Sequence, residues 1–278
     1  MTGSDAAGER PAPAEHHPGH HRVPVLNLQG KAGPSVTLPL AFSTPVRSDL
    51  IRRAVIAAQS HRIQPHGTSP TAGLRHSVEW SGKGRGVART PRLMDSMRGA
   101  QAPNTVGGRP SHPPYVARLW DKKVNSKERR LAFAAALAAT REPKLCQARG
   151  HRFPTGLHLP VVVDTGVEEI LSAAEAHGLL ERLKLSNDVE RSKHGTHGRA
   201  GRGKRRGRAR RTPTALLVVT SRPGLARGFR NLSGVDVISV DRLGTEDLAP
   251  GGDPGRLTLF SRAAIDALDL RLTGRRPT

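Results

Sequence analysis

The residues from Val78 to Arg92 read Val-Glu-Trp-Ser-Gly-Lys-Gly-Arg-Gly-Val-Ala-Arg-Thr-Pro-Arg, so that Gly82, Gly84 and Gly86 alternate with Lys83 and Arg85. Glycine lets a backbone come close to a phosphate, and interleaved cations neutralise it. Trp80, beside the run, offers a flat face on which an unpaired base can stack. The same glycines fail as a dinucleotide fingerprint, which needs a strand before, a helix after and an acid roughly 20 residues on. Here no apolar strand precedes and Pro91 follows. A flexible solvated loop is the bland alternative for this segment taken alone.

A second tract, Arg191 to Arg211, reads RSKHGTHGRAGRGKRRGRARR. From Arg199 it carries Arg202, Lys204, Arg205, Arg206, Arg208, Arg210 and Arg211 without one acid. Dense guanidinium charge binds phosphates, and the planar groups also stack on bases. Predicted strands on either side place the tract inside a folded unit and argue against a free tail. Between the two tracts, the segment from Val106 to Pro114 is permissive at its glycines and rigid at its prolines. It could fix the return path of a loop with Arg109 and His112 facing a phosphate or base; an ordinary turn is the alternative.

Other chemistry is poorly supported. His16, His17, His20 and His21 lie in a polar tail, and His194 and His197 sit among positive charge that repels a cation, so no metal site and no cofactor is expected. The single Cys146 excludes an intrachain disulfide, fits a reducing cytosol and reads as a small, partly buried side chain. Asp164, Asp236 and Asp241 fall near predicted strand ends, where α/β enzymes place their carboxylates, yet they read better as caps or turn residues. No nucleophile or paired-acid motif points to an enzyme.

The composition explains why a polyanion is the expected partner. The 278 residues hold 45 Lys+Arg against 23 Asp+Glu, a formal net charge of +22. Self-repulsion of that size destabilises a compact state unless an opposite charge meets it. Nucleic acid does so with release of condensed counterions. An anionic membrane is the other candidate, disfavoured because no apolar run approaches the roughly 18 residues a span requires. The start of the chain lacks the apolar stretch of a signal peptide, so a cytoplasmic protein is expected.

Hydrophobic residues make up 36% and aromatics 3%, with 30 Gly and 22 Pro. The core should therefore be aliphatic, rich in alanine and smaller than the chain allows. Residues 1–22 read as a disordered tail rich in histidine. Residues 23–278 read as one globular α/β domain, interrupted by an extended loop over 62–119 and a basic arm over 191–211. Val23–Leu28 and Val36–Leu40 look like a hairpin around Gly30 and Gly33. A helix from an N-cap at Ser48 carries Leu50, Ile51, Ala54, Val55 and Ala58 on one face. Past Asn125, which with Glu128 resembles a capping box, Leu131, Ala134, Ala135 and Ala138 form another face.

Strands at Leu159–Val163, Thr214–Val219, Val235–Val240 and Leu257–Phe260 then alternate with helical patterns. These are Glu168–Leu183, a short helix or turn at Pro223–Phe229, and a final helix from Ser261 that points Ala264, Ile265, Leu268 and Leu272 inward. That alternation predicts an α/β three-layer sandwich with a mainly parallel central sheet. From Arg62 to Leu119 the apolar periodicity disappears. Arg75, Lys83, Arg85, Arg89, Arg92, Arg98 and Arg109 face only Glu79 and Asp95 there. Loops beyond roughly 15 residues without elements of their own are uncommon. This one is either disordered or held in shape from outside the domain.

Several segments together resemble the universal large-subunit ribosomal protein four family, in its archaeal and eukaryotic branch. They are Asp49-Leu-Ile-Arg-Arg-Ala-Val with Ala57-Ala-Gln, Gly82 to Arg92, Val106-Gly-Gly-Arg and His112-Pro-Pro. Lys123-Val-Asn with Lys127-Glu-Arg-Arg-Leu-Ala, Ala148-Arg-Gly-His-Arg-Phe, Leu248-Ala-Pro-Gly-Gly and Pro254-Gly-Arg-Leu follow in family order. The lack of a long basic C-terminal extension fits the archaeal pattern. The resemblance implies a structural constituent of the large ribosomal subunit, bound to ribosomal RNA and to neighbouring large-subunit proteins. Its long loop would thread through RNA and form part of the wall of the polypeptide exit tunnel.

Carried onto this sequence, Lys83, Gly84, Arg85 and Gly86 would lie at the tunnel wall, near the nascent peptide. Arg62, Arg75, Trp80, Arg89, Arg92, Arg98, Arg109, His112 and Arg118 would touch RNA along the loop. Lys122, Lys123, Lys127, Arg129 and Arg130 would do so at its base. His66 stands where the family commonly has an aromatic, and Pro110 where it commonly has a basic residue. A regulatory role on the protein's own message is the alternative from the same chemistry, and an α/β enzyme with basic loops acting on nucleotides is a third.

Overall fold

The computed structural model describes residues 21–273. Among these, the chain up to Ala58 and from Lys123 onward forms one compact unit, and Gln59–Lys122 forms another. Residues 16–20, with three of the tail histidines, lie outside the described part.

The first unit begins with β1 (Arg22–Leu26), in which Val23 and Val25 point inward on the two-residue period of a strand. It turns back into antiparallel β2 (Ala32–Thr37), with Val23 opposite Val36. Helix α1 (Ser48–Ser60) follows. Ser48 is its first residue, and the Asp49 carboxylate is held by Arg47 at 2.7 Å. Leu50, Ile51, Ala54 and Val55 are buried as their spacing predicts, joined by Ala57 in place of Ala58. The second unit contributes β3 (Val78–Trp80) and β4 (Pro91–Leu93).

The first unit resumes with α2 (Ser126–Arg141), α3 (Pro143–Ala148), β5 (Val161–Val163), α4 (Ala173–Arg182) and α5 (Ser186–His194). The short β6 (His197–Gly198), α6 (Arg202–Arg205) and β7 (Arg210–Arg211) come next. The chain closes through β8 (Leu217–Thr220), β9 (Asp236–Ser239), α7 (Thr245–Leu248), β10 (Thr258–Ser261) and α8 (Arg262–Thr273).

Six strands form one sheet in the order β2-β1-β5-β10-β8-β9, with every neighbouring pair parallel except β1 with β2. Its central strands are buried on both faces, as a sheet covered on two sides requires. Val162, Leu217, Val219 and Phe260 pack with Ile51, Val55, Ala135 and Ile265 on one face. The alternate residues Val161, Val163, Val218 and Leu259 pack with Leu179, Leu180, Val189 and Phe229 on the other. The α/β three-layer sandwich with a mainly parallel sheet is thus present, and burying each such side chain contributes about 1.5–3 kcal/mol.

Several local expectations need correction. Asn125 stands at the N-cap of α2 but makes no side-chain cap bond, and Glu128 turns instead to Arg53 at 3.5 Å. Helix α2 buries Ala132, Ala135, Ala136 and Ala139, while Leu131 remains 40% exposed. Leu272 is likewise 38% exposed near the end of α8. Glu168–Leu183 is not one helix: a 3-10 turn over Thr165–Glu169 precedes α4. The cause is Glu168 itself. Its buried carboxylate accepts from Ser221 N at 2.6 Å, Ser221 Oγ at 2.8 Å and Ser261 Oγ at 2.5 Å, tying it to the ends of β8 and β10.

Asp164 does cap a turn, accepting from Thr165 N at 2.8 Å. Asp236 does not; it meets the Arg256 guanidinium at 2.5 Å, and that arginine is 1% exposed. Arg256 also donates to the Ala215 and Asp247 carbonyls, so this cation serves the fold. Cys146 is wholly buried rather than partly, and burial pushes its thiol up to about 12.

Candidate nucleic-acid interface

The second unit is a ribbon of two legs held by nested rungs. At its root Lys122 N donates to Ser60 Oγ at 2.9 Å, and His61 meets Asp121 at 3.3 Å. The His66 and Trp120 rings then lie 5.0 Å apart, with the Arg118 guanidinium 5.4 Å from the Trp120 ring centre. Further out, Thr68 N donates to the Pro114 carbonyl at 3.0 Å. Gly73 has a φ of +77°, and a Cβ there would stand 2.5 Å from Arg109 N, so only glycine lets the legs approach. The Gln101 amide donates to the Leu74 and His76 carbonyls. Beyond it β3 and β4 pair in antiparallel register, Val78 with Leu93 and Trp80 with Pro91.

The 62–119 stretch is therefore not structureless, and its regularity went unseen for a physical reason. Polar rungs between backbone and side chain leave no apolar period. Burial is almost absent: Ala100 is the one hydrophobic residue of this unit in the described core. Trp80, Val106, Tyr115, Val116 and Leu119 are all more than half exposed. A partner must supply whatever surroundings these side chains receive.

At the far end, Ser81 to Thr90 form the tip. Gly82, Gly84 and Gly86 have φ values of +63°, +80° and +66°, and nothing lies within 4 Å of a Cβ built on any of them. The tip backbone is thus open on the side a ligand would approach, and Lys83, Arg85 and Arg89 point into solvent. Trp80, 69% exposed, closes β3 next to them. Arg62, Arg75, Arg98, Arg109 and His112 are exposed along the legs. Arg92 differs. It is half-buried and donates to the Met97 carbonyl at 2.8 Å and the Ala88 carbonyl at 3.3 Å, so it holds the hairpin together. Arg118 is partly engaged by Trp120. Sequence reasoning missed Gln101 and the ring stack at the root, and nothing in the spacing of either marks it.

In the first unit, Lys123 precedes α2, and Lys127, Arg129 and Arg130 stand exposed on its opening turns. The basic arm begins later than its composition suggests. Arg191 belongs to α5 and turns inward, to Asp188 at 2.9 Å and the Thr214 carbonyl at 2.8 Å. Asp188 is fully buried and also takes His151 Nδ1 at 2.9 Å and Arg152 N at 3.0 Å. Burial alone would raise its carboxyl. The His151 hydrogen bond and charge, with Arg191 and the Arg152 N–H, hold it below the usual aspartate value.

From this anchor the arm rises as a small hairpin, His197 opposite Arg211 and Gly198 opposite Arg210. Between these strands lie α6 and the turn after it, with Arg202, Lys204, Arg205, Arg206 and Arg208 all exposed. Each of the two units thus carries its own cationic projection. Among the described residues no cluster of three or more His, Cys, Asp or Glu could hold a metal, and no helix is long and apolar enough to cross a membrane.

The sequence profile of the Ribosomal protein L4/L1 family matches residues 36–271. The chain is 45% identical over 256 residues to the large ribosomal subunit protein uL4 of Methanopyrus kandleri, covering 90% of this chain and 98% of that protein. It is 44% identical over 241 residues to the uL4 of Haloquadratum walsbyi, covering 87% and 96%. It is 40% identical over 248 residues to that of Methanosphaera stadtmanae, covering 89% and 96%.

Proposed function

Because the chain belongs to the ribosomal protein L4/L1 family, and its similar relatives are archaeal, we propose that it is a non-catalytic structural constituent of an archaeal-type large ribosomal subunit in the cytoplasm. In this reading the ribbon of residues 59–122 is embedded in ribosomal RNA. Lys83, Gly84, Arg85 and Gly86 at its tip line the exit tunnel beside the nascent peptide. The arm over 196–211, and Lys122 and Lys123 ahead of α2, grip RNA elsewhere.

One observation carries the reading: a register-locked ribbon exposes nearly all of its cations and apolar side chains together. Solvent is a poor setting for that combination. Folded RNA, with phosphates for the cations and base faces for Trp80, suits it. Loops of this kind in a free globular protein would shed the exposed apolar residues or bury them.

The test is a density map of large subunits purified from the source organism. The ribbon should be traceable through RNA, with its tip facing the tunnel lumen. Subunits that lack the chain, or density that leaves Lys83 and Arg85 on the outer solvent surface, would overturn the proposal.

A further inference from the structure

A groove of about 1060 Å³ opens on the first unit, lined from α1, α2, α7 and α8. Ala54, Leu131, Phe133, Ala134, Leu243 and Leu272 give it an apolar floor, and Lys127, Arg129, Arg130 and Arg271 stand around it. Leu131 and Leu272 are the two leucines that helical spacing assigns to the core and the fold leaves at the surface, 40% and 38% exposed. Leucine at an inward helical position earns its stabilisation only when something covers it. Nothing among the described residues of the first unit does.

We infer that this groove docks an acidic amphipathic helix of a neighbouring protein. The occupant follows from charge, floor and size. A second copy of this chain, with its net charge of +22, is repelled by the cationic rim. The five residues after Thr273 are Gly-Arg-Arg-Pro-Thr, with no acid and no large apolar side chain. Residues 1–20 hold no Leu, Ile, Val or Phe. RNA would satisfy the rim but leave the floor unmatched.

A helix with leucine-type residues at i, i+3 and i+7 and acids on its flanks satisfies both. Two turns of helix, roughly 11 Å long and 10 Å across, fill roughly 850 Å³, which is of the groove's scale. Glu246 and Asp247 line the groove on α7, so the acids of the incoming helix belong toward the cations of α2. Every residue lining this site belongs to the first unit, so the inference does not rest on the RNA-facing reading of the ribbon.

The probe is a fluorescent 14-residue peptide with leucines at helical spacing and glutamates elsewhere, set against a scrambled peptide of the same composition. Both are titrated into the full chain. The patterned peptide should bind at least tenfold tighter than the scramble, and Leu131→Ser with Leu272→Ser should abolish that preference while leaving the circular dichroism spectrum unchanged. Equal affinity for the two peptides, or a preference that survives in the double variant, overturns the inference. So does a ribosomal RNA transcript that displaces the patterned peptide and loses affinity for the double variant by the same factor. As a check independent of folding, a photo-crosslinker at position 131 in intact large subunits should attach to an acidic helical segment of a protein; attachment to RNA alone would refute the assignment.

Discussion

Replacing Lys83, Arg85 and Arg89 together with alanine should change the salt dependence of RNA binding by an amount the tip geometry sets. All three side chains are exposed, on a backbone whose glycines leave the approach open. Each phosphate contact by a cation contributes roughly 0.7 to 0.9 to the slope of log affinity against log salt. Losing three should flatten that slope by roughly 2 to 3 units. Between about 50 and 200 mM salt, the wild-type complex should then lose roughly 20- to 40-fold more affinity than the variant. Filter binding or fluorescence anisotropy on a large-subunit RNA transcript, at five or six salt concentrations, reads this directly. Arg92→Ala is the internal control, because that guanidinium already bonds the Met97 and Ala88 carbonyls. It should loosen the hairpin and hardly move the slope. An unaltered slope in the triple variant, or an Arg92 effect as large as one tip cation, would refute the reasoning.

Three further outcomes follow from particular contacts. Gly73→Ala puts a Cβ 2.5 Å from Arg109 N at a positive φ; strain of about 1–3 kcal/mol should open the ribbon. Trypsin should then cut after Arg75 roughly tenfold faster while the main thermal transition stays in place. Because the folded-state pKa of Asp188 is depressed, its stabilisation is complete above roughly pH 4, the unfolded aspartate value, and is lost as pH falls through the folded value. Urea midpoints of the wild type should fall more steeply below pH 4 than those of Asp188→Asn, which at neutral pH should already be about 3 kcal/mol less stable; parallel pH profiles would contradict this. With its thiol pushed up to about 12 inside the core, Cys146 should react with a disulfide reagent at pH 8 only as fast as the chain unfolds globally. Prompt labelling of the native protein would show the burial to be wrong.

How much of this was legible in the sequence depended on which force set each element. Val161 to Val163, Leu217 to Val219 and the Ile51–Val55 face are placed by apolar burial, which leaves a period that can be read. Where two residues at neighbouring positions could both turn inward, the pattern was less decisive: Ala57 replaced Ala58, and α2 rotated so that Leu131 faces outward. Glu168 is held out of the start of a predicted helix by hydrogen bonds from Ser221 and Ser261, more than fifty residues away in sequence, and no local pattern encodes such partners. The chemistry of the interface was legible because charge and glycine spacing are local properties. Its geometry was not. Gln101 and Gly73 act through distant backbone, and Arg92 looks like every other arginine until its acceptors are known.

Among the described residues, the three apolar clusters draw every member from outside residues 59–122. A melting curve therefore reports the sandwich and is nearly blind to the ribbon. Variants could pass every screen for solubility, helix content and heat resistance and still fail when a particle has to be put together around them. Selection on such a chain works through two separate filters, and substitutions in one part cannot be compensated by firmer packing in the other.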